Sequence, residues 1–196
     1  MSRWGRYAAA YLALALIAVG VGWGWLGMPM LSLSDPWLEL ASPHAWSAAC
    51  GLGIGVLVVV LTRVSVARFA WAKQLHRDLR PFARGLSGVG VVALAIFSAL
   101  GEELLFRGVV QPLLGVWLQA LVFGVVHYVP GPSRWVWVGW AALLGLVLGL
   151  VFQATGSLAG PLVAHAAING VNLRYLKRHD PDHRPRDLGG LLSQRS

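Results

Sequence analysis

Long apolar runs separated by short polar segments make up most of this 196-residue chain. A stretch of roughly 17–25 apolar residues can cross the hydrocarbon core of a bilayer as a helix. The pattern predicts six such spans, which are, in chain order, Tyr7–Gly27, Ala45–Leu61, Gly88–Val110, Leu113–Tyr128, Trp135–Phe152 and Leu158–Tyr175. The predicted fold class is therefore all-α, a polytopic membrane helix bundle.

The first apolar run follows a basic N-terminal segment, as the apolar region of a secretory signal peptide does. The run Tyr7–Gly27 is longer than such a region usually is, and no clear cleavage motif follows it. It is therefore expected to be a retained first span.

Composition agrees with a membrane protein. The chain is 57% hydrophobic and 12% charged, whereas a soluble domain carries about 25% charged residues. The net charge is +8, but the basic residues cluster beside the apolar spans and not on one face of a soluble fold. This distribution indicates topology signals and contacts with lipid headgroups, so the lipid bilayer is an expected partner and nucleic acid is not.

The distribution of Lys and Arg predicts how the chain crosses the membrane. Residues 28–44 contain neither Lys nor Arg, residues 153–157 are uncharged, and residues 63–84 contain six basic side chains. Basic segments stay on the cytoplasmic side. With six spans, both termini are therefore expected in the cytoplasm.

The polar segments divide the chain into three parts. Residues 1–87 comprise two spans and a basic segment, residues 88–176 a four-helix core, and residues 177–196 a polar tail that is expected to be disordered. The basic segment mixes aromatic and aliphatic side chains with Arg and Lys. It is expected to be either an amphipathic helix at the membrane interface or a plain solvated loop.

Three charged side chains interrupt the third span. A charge at bilayer depth costs about 2.5 kcal/mol or more, so such residues need partners and often mark a functional site. Glu103 and Arg107 are four residues apart on one helix face and are expected to form an ion pair. Glu102 is rotated by about 100° from Glu103, which leaves its carboxylate free to act as a general base. The alternative is a structural clamp that uses all three side chains.

The fourth and sixth spans add further polar groups. His127 lies in the fourth span, and His165, Asn169 and Asn172 form a stripe on the sixth. If these faces meet Glu102, a polar site lies between the third, fourth and sixth spans. Two histidines and a carboxylate could hold a metal such as zinc with an open water position, or they could activate water directly while Asn169 binds an oxyanion.

Together these positions form three motifs on three separate spans, in the order EExxxR, FxxxH and HxxxN. They are Glu102-Glu103 with Arg107, Phe123 with His127, and His165 with Asn169. In this respect residues 88–175 resemble the CPBP family, the CAAX proteases and bacteriocin-processing enzymes, which include the type II CAAX prenyl endopeptidases.

The resemblance implies an intramembrane endopeptidase that cleaves a membrane-associated protein or peptide in the cell membrane of a bacterium or an archaeon. It implies that Glu102 and His127 activate the attacking water and that His165 and Asn169 stabilise the oxyanion. Glu103 and Arg107, with Phe123, would then support the site.

The resemblance leaves zinc as an open question, with Glu102, His127 and His165 as the candidate ligands. We favour the metal-free mechanism, because Asn169 is a poor zinc ligand. Glu103 is also expected to be committed to Arg107, so that no second carboxylate remains to orient zinc-binding histidines.

Two other functions fit some of these residues. A non-catalytic immunity or partner-binding membrane protein could retain the same fold, but it would be expected to lack part of the motifs, and none is missing. A transporter or proton relay also uses intramembrane Glu and His, but such proteins often show inverted repeats, and the chain has no convincing repeat.

Overall fold

The computed structural model describes residues 2–182, and its regular structure within that range is helical, with one isolated β-bridge between Ser32 and Ser157. The helices are α1 (Arg3–Val19), α2 (Pro43–Arg68), α3 (Ala70–Arg84), α4 (Gly88–Leu105), α5 (Gln111–Val126), α6 (Arg134–Thr155) and α7 (Ala159–Arg178). Two of them continue as π-helical turns, α1 through Gly20–Trp25 and α4 through Phe106–Val110. The predicted all-α bundle is confirmed.

Within residues 2–182, four stretches are long and apolar enough to cross a membrane: Arg3–Trp25, Pro43–Arg68, Gly88–Val126 and Arg134–Thr155. The third stretch contains the third predicted span and all but the last two residues of the fourth. The sixth predicted span corresponds to α7, which carries more polar side chains and packs against α2, α3, α4 and α6. Because other helices surround α7, much of its polar surface faces protein.

The chain bends at Gly115, just inside the fourth predicted span, where the glycine has a positive φ of 77°. Glycine adopts this conformation without the steric cost that a Cβ atom would add. After the bend, α5 runs back beside the end of α4, so that the Phe123 ring lies 4.9 Å from the Phe106 ring and His127 reaches Glu102. The bend therefore brings the second motif to the first.

Helices α2 and α7 pack closely at a pair of glycines. A Cβ atom on Gly51 would lie 2.1 Å from the Gly160 carbonyl oxygen, a distance that two non-bonded atoms cannot adopt. Small residues allow this kind of backbone approach between membrane helices. The contact holds the start of α7, and with it His165, against α2.

The basic segment after the second predicted span is helical, so its interpretation as a plain loop is wrong. Helix α2 continues to Arg68, the chain is extended at Phe69, and α3 follows. On α3 the side chains of Ala72, His76 and Ala83 are buried, whereas Trp71 is exposed. Its position at a membrane interface stays a prediction.

The first residues of the predicted tail are ordered. Lys177 and Arg178 belong to α7, and three of the next four residues contact α3. Arg77 pairs with Asp182 at 2.5 Å and Arg80 with Asp180 at 3.1 Å, while the His179 carbonyl accepts a hydrogen bond from His76. Of the predicted disordered tail, residues 183–196 lie outside the described residues.

Candidate active site

Glu103 and Arg107 form an ion pair that is completely buried in the bundle. Their side chains approach to 3.0 Å, and neither is exposed. Arg107 also donates to the Gly145 carbonyl on α6 at 2.9 Å, and its guanidinium lies 4.8 Å from the centre of the Phe123 ring. A buried ion pair needs such further contacts to offset the loss of hydration. The predicted partnership of Glu103 and Arg107 is therefore present, and it ties α4 to α5 and α6.

Glu103 serves a second partner as well. Its Oε1 accepts a hydrogen bond from His165 Nδ1 at 2.6 Å. A carboxylate has two oxygens and can accept from several donors, so the expectation that Glu103 is committed to Arg107 alone is wrong. A carboxylate at Nδ1 fixes the ring orientation of a histidine whose Nε2 works elsewhere.

His127 is oriented in the same way by the backbone. Its Nδ1 lies 2.7 Å from the Phe123 carbonyl oxygen, and because a carbonyl can only accept, Nδ1 carries a proton. In both histidines Nε2 is thereby directed into the site. His127 Nε2 lies 3.5 Å and His165 Nε2 lies 3.8 Å from Glu102 Oε2.

These two distances exceed a direct hydrogen bond. The three atoms therefore face a common point without being paired to one another. Glu102 Oε2 has no hydrogen-bond partner among the described residues, and Glu102 itself is buried. Of the predicted catalytic residues, the structure thus brings Glu102, His127 and His165 together.

Phe123 fills the space between these groups. It is 2% exposed, and its ring centre lies 4.4 Å from that of His127 and 6.3 Å from that of His165. With Arg107 on the same ring, Phe123 limits the rotation of both imidazoles. This packing gives a physical reason for an aromatic residue one helical turn before His127.

The predicted stripe on α7 divides between two sets of contacts. Asn169 donates through Nδ2 to the Ser98 hydroxyl at 3.0 Å, one turn before Glu102 on α4. Asn172 instead accepts from Arg63 on α2 at 2.9 Å. Asn169 therefore stays beside the site, with one amide N–H committed to Ser98, while Asn172 is tied to α2.

Glu102, His127 and His165 are residue types that bind zinc, but their donor atoms lie too far apart for a zinc site. Within residues 2–182, no group of three or more His, Cys, Asp or Glu side chains has a geometry that holds a metal ion. Ligands at about 2.0–2.1 Å from a tetrahedral zinc stand about 3.3–3.4 Å apart, so the separations of 3.5 and 3.8 Å would have to contract. Both histidines already have the Nδ1 partners that zinc-binding histidines usually have.

Two cavities meet at Glu102. One, of about 490 Å³, extends from Glu102, His127 and His165 to the underside of α3 and has lining residues on all seven helices. The other, of about 450 Å³, lies between α1 and α5 and shares Glu102, His127 and Tyr11 with the first. The candidate site is thus reached from two directions.

Two polar side chains at this site, Tyr11 and Ser98, are not among the residues that the sequence predicts. Each had a signal: Tyr11 carries a hydroxyl in an otherwise apolar run, and Ser98 lies four residues before Glu102 on the same helix face. Neither signal is specific, because Tyr and Ser are common in membrane helices.

Comparisons with known proteins concern the same part of the chain. Residues 85–171 match the family model of type II CAAX prenyl endopeptidase Rce1-like proteins. The uncharacterized protein YpbD from Bacillus subtilis (strain 168) is 35% identical over 81 residues, which cover 41% of this chain and 42% of YpbD. The match thus spans less than half of either protein. No solved structure matches.

Proposed function

We propose that this chain, a member of the CAAX protease family through residues 85–171, is an intramembrane endopeptidase that cleaves a membrane-associated protein or peptide. The observation that carries the proposal is the convergence of His127 Nε2 and His165 Nε2 on Glu102 Oε2 inside an apolar bundle. A buried carboxylate beside two oriented imidazoles is a set of groups that can activate water.

In the proposed reaction, Glu102 takes a proton from a water molecule that His127 helps to orient. The water oxygen bonds to the carbonyl carbon of the scissile peptide bond and forms a tetrahedral intermediate. Glu102 then returns the proton to the leaving amine nitrogen as the C–N bond breaks. Because Glu102 first accepts and then donates this proton, the carboxylate is restored at the end of each cycle.

Asn169 and His165 are proposed to act on the oxyanion of the intermediate. Asn169 uses one N–H for Ser98, and its second N–H is available to the oxyanion. His165 presents Nε2 to the same region because Glu103 holds its Nδ1. Fixed donors are effective in a site with a low dielectric constant, because they need no reorganisation when charge develops.

The substrate class follows from the surroundings of the site. The larger cavity is lined by apolar and aromatic side chains, among them Leu144, Trp137 and Trp140, as well as by the polar site residues. Such a cavity suits an extended peptide with apolar side chains or a lipid-anchored segment. This supports a membrane-associated substrate over a soluble one.

The proposal is tested by comparing new peptide termini in membranes of cells that produce the wild-type protein and cells that produce Glu102→Gln. Gln is nearly isosteric with Glu but cannot act as the base. We expect one or more cleaved membrane proteins with the wild type and none with the variant at equal protein levels. The same set of termini in both samples would contradict the proposal.

Metal dependence is tested on purified protein after exhaustive chelation, with metal content measured on the same sample. We expect activity to persist, in agreement with the wide spacing of the donor atoms. Loss of stoichiometric zinc together with activity, and recovery of both on adding zinc back, would instead assign Glu102, His127 and His165 as zinc ligands. The metal would then supply the activation of water.

A further inference from the structure

Tyr11 places a hydroxyl deep in the first membrane helix. It lies eight positions after Arg3, the first residue of α1, within the apolar run AAAYLALALIAV. The ring is partly buried against a cluster formed by α1 and α4. A tyrosine hydroxyl at this depth needs a hydrogen-bond partner, because lipid offers none.

The residue before Glu102 explains why α1 comes so close to the site. A Cβ atom on Gly101 would lie 2.6 Å from the Tyr11 carbonyl oxygen. Glycine at this position therefore allows the backbones of α1 and α4 to touch at the level of Tyr11. The contact places Tyr11 next to Glu102.

The Tyr11 side chain shares the surroundings of Glu102. Both residues line both cavities, together with His127. The Tyr11 hydroxyl and the Glu102 carboxyl therefore belong to one polar surface where the two cavities meet. Within the described residues, Tyr11 thus adds a polar group to the site from outside the family-matched segment 85–171.

We infer that Tyr11 is a positioning residue whose hydroxyl donates a hydrogen bond to the Glu102 carboxylate and holds Oε2 toward His127 and His165. The inference rests on the proposed function, because the group that Tyr11 positions is the proposed general base. Without the hydroxyl, the carboxylate can rotate away from the attacking water. A loss of this kind lowers kcat and leaves substrate binding, and so KM, largely unchanged.

The chain offers a matched control on the same helix. Tyr7 lies one turn before Tyr11 and lines the larger cavity, but its ring packs edge-on against Phe82 at a centroid distance of 5.5 Å. Removing its hydroxyl leaves the ring packing and Glu102 in place. Tyr7→Phe therefore controls for the loss of a tyrosine hydroxyl from this face of α1.

The first test measures kcat and KM on a peptide that contains a cleavage site identified by the comparison of termini. We expect Tyr11→Phe to lower kcat by about 10- to 100-fold, the range for one hydrogen bond to a charged group, with KM unchanged. Tyr7→Phe should lower kcat by no more than about twofold, and only its kcat serves as the control because Tyr7 lines the larger cavity. Equal effects of the two variants, or a rise in KM with kcat unchanged, would overturn the inference.

The second test needs no substrate. In a double-mutant cycle, Tyr11→Phe should lower the melting temperature by roughly 2–4 °C in the wild-type background and leave it unchanged in a Glu102→Ala background. Equal shifts in both backgrounds would show that the hydroxyl does not interact with Glu102 and would overturn the inference.

The two proposals fail in different ways. Cleavage that Glu102→Gln abolishes and Tyr11→Phe leaves intact would overturn this inference and leave the proposed function standing. Absence of cleavage by the wild-type protein would overturn the proposed function and the role of Tyr11 with it, whatever the melting temperatures show.

Discussion

Glu102 and Glu103 are neighbours in sequence, but their side chains have different surroundings. Glu103 is fully buried and accepts from both Arg107 and His165, so it links α4 to α7. Glu102 lies beside two imidazoles at distances longer than a hydrogen bond. Glu103 therefore has mainly a structural role, whereas the Glu102 carboxylate is available for chemistry.

This difference predicts separate effects of two isosteric substitutions. Glu103→Gln leaves the Arg107 guanidinium buried without a counter-charge, and breaking such a pair costs about 3–5 kcal/mol. We expect a lower free energy of unfolding and a lower protein yield, measured by thermal unfolding in detergent.

Glu102→Gln is the control for that measurement. It removes a charge one residue away, where no close ion pair is lost, and should leave the melting temperature nearly unchanged while activity is lost. Equal melting temperatures of the two variants would contradict the division of roles.

Individual side chains were predictable where the contact is local. The spacing of four residues between Glu103 and Arg107 was enough to predict their ion pair. The contact between Glu103 and His165 joins residues 62 positions apart, and helix periodicity holds no information about such a pair. The position of Tyr11 was missed for the same reason, because it depends on how α1 packs on α4.

At the scale of helices, most ends of the predicted spans lie within a few residues of the observed helix ends. Helix α2 is the exception, because it extends to Arg68. The sequence predicts the break between the third and fourth spans at residues 111–112, whereas the chain bends at Gly115. Pro112 comes shortly after the π-helical turn Phe106–Val110, and the backbone stays helical through Gln111, so this proline does not mark the break. An apolar run with several glycines does not show which of them adopts a positive φ.

The contact between α2 and α7 predicts a strong effect of one added methyl group. In Gly51→Ala, the new Cβ would meet the Gly160 carbonyl at 2.1 Å, so the two helices must separate. We expect a loss of about 1–3 kcal/mol in the free energy of unfolding. Activity should also fall, because α7 carries His165.

Gly53 on the same helix provides the matched control. A Cβ atom there has nothing within 4 Å, and alanine favours a helix over glycine by up to about 1 kcal/mol. Gly53→Ala should therefore leave thermal stability unchanged or raise it. If both substitutions destabilise the protein equally, the close approach of α2 and α7 is not what makes Gly51 sensitive.

At the scale of the whole molecule, the two ends of the bundle differ in charge. The Leu33 amide donates to the Gly156 carbonyl at 2.9 Å, which places the loop after α1 and the α6–α7 turn at one end. Helix α3 and the end of α7 meet at the other end, where Arg77 and Arg80 lie. This separation has the form that the positive-inside rule requires.

The separation predicts a definite topology. Reporter fusions at Asp35 and Gly156 should report the outer side of the membrane, and a fusion at Lys73 should report the cytoplasm. Alkaline phosphatase and fluorescent-protein fusions measure the two sides independently. A cytoplasmic signal at Gly156 would contradict the six-span topology.

The convergence of the motifs was predictable at this scale, but the shape of the site was not. Three helices with polar faces in an apolar chain are expected to turn those faces toward one another, because lipid does not solvate them. The two cavities depend on the packing of α1, α3 and α5 around that point. Sequence patterning does not specify such packing.

Hydrolysis inside a bilayer unites two reactants that dissolve in different phases, water and a peptide held in lipid. The cavity beneath α3 and the cavity between α1 and α5 reach the same carboxylate from different directions. Under the proposed function, each reactant would therefore have its own route to Glu102, and a bound peptide would not have to block the resupply of water. If the proposed reaction is the one that this chain catalyses, the site could keep its water while one peptide leaves and the next one binds.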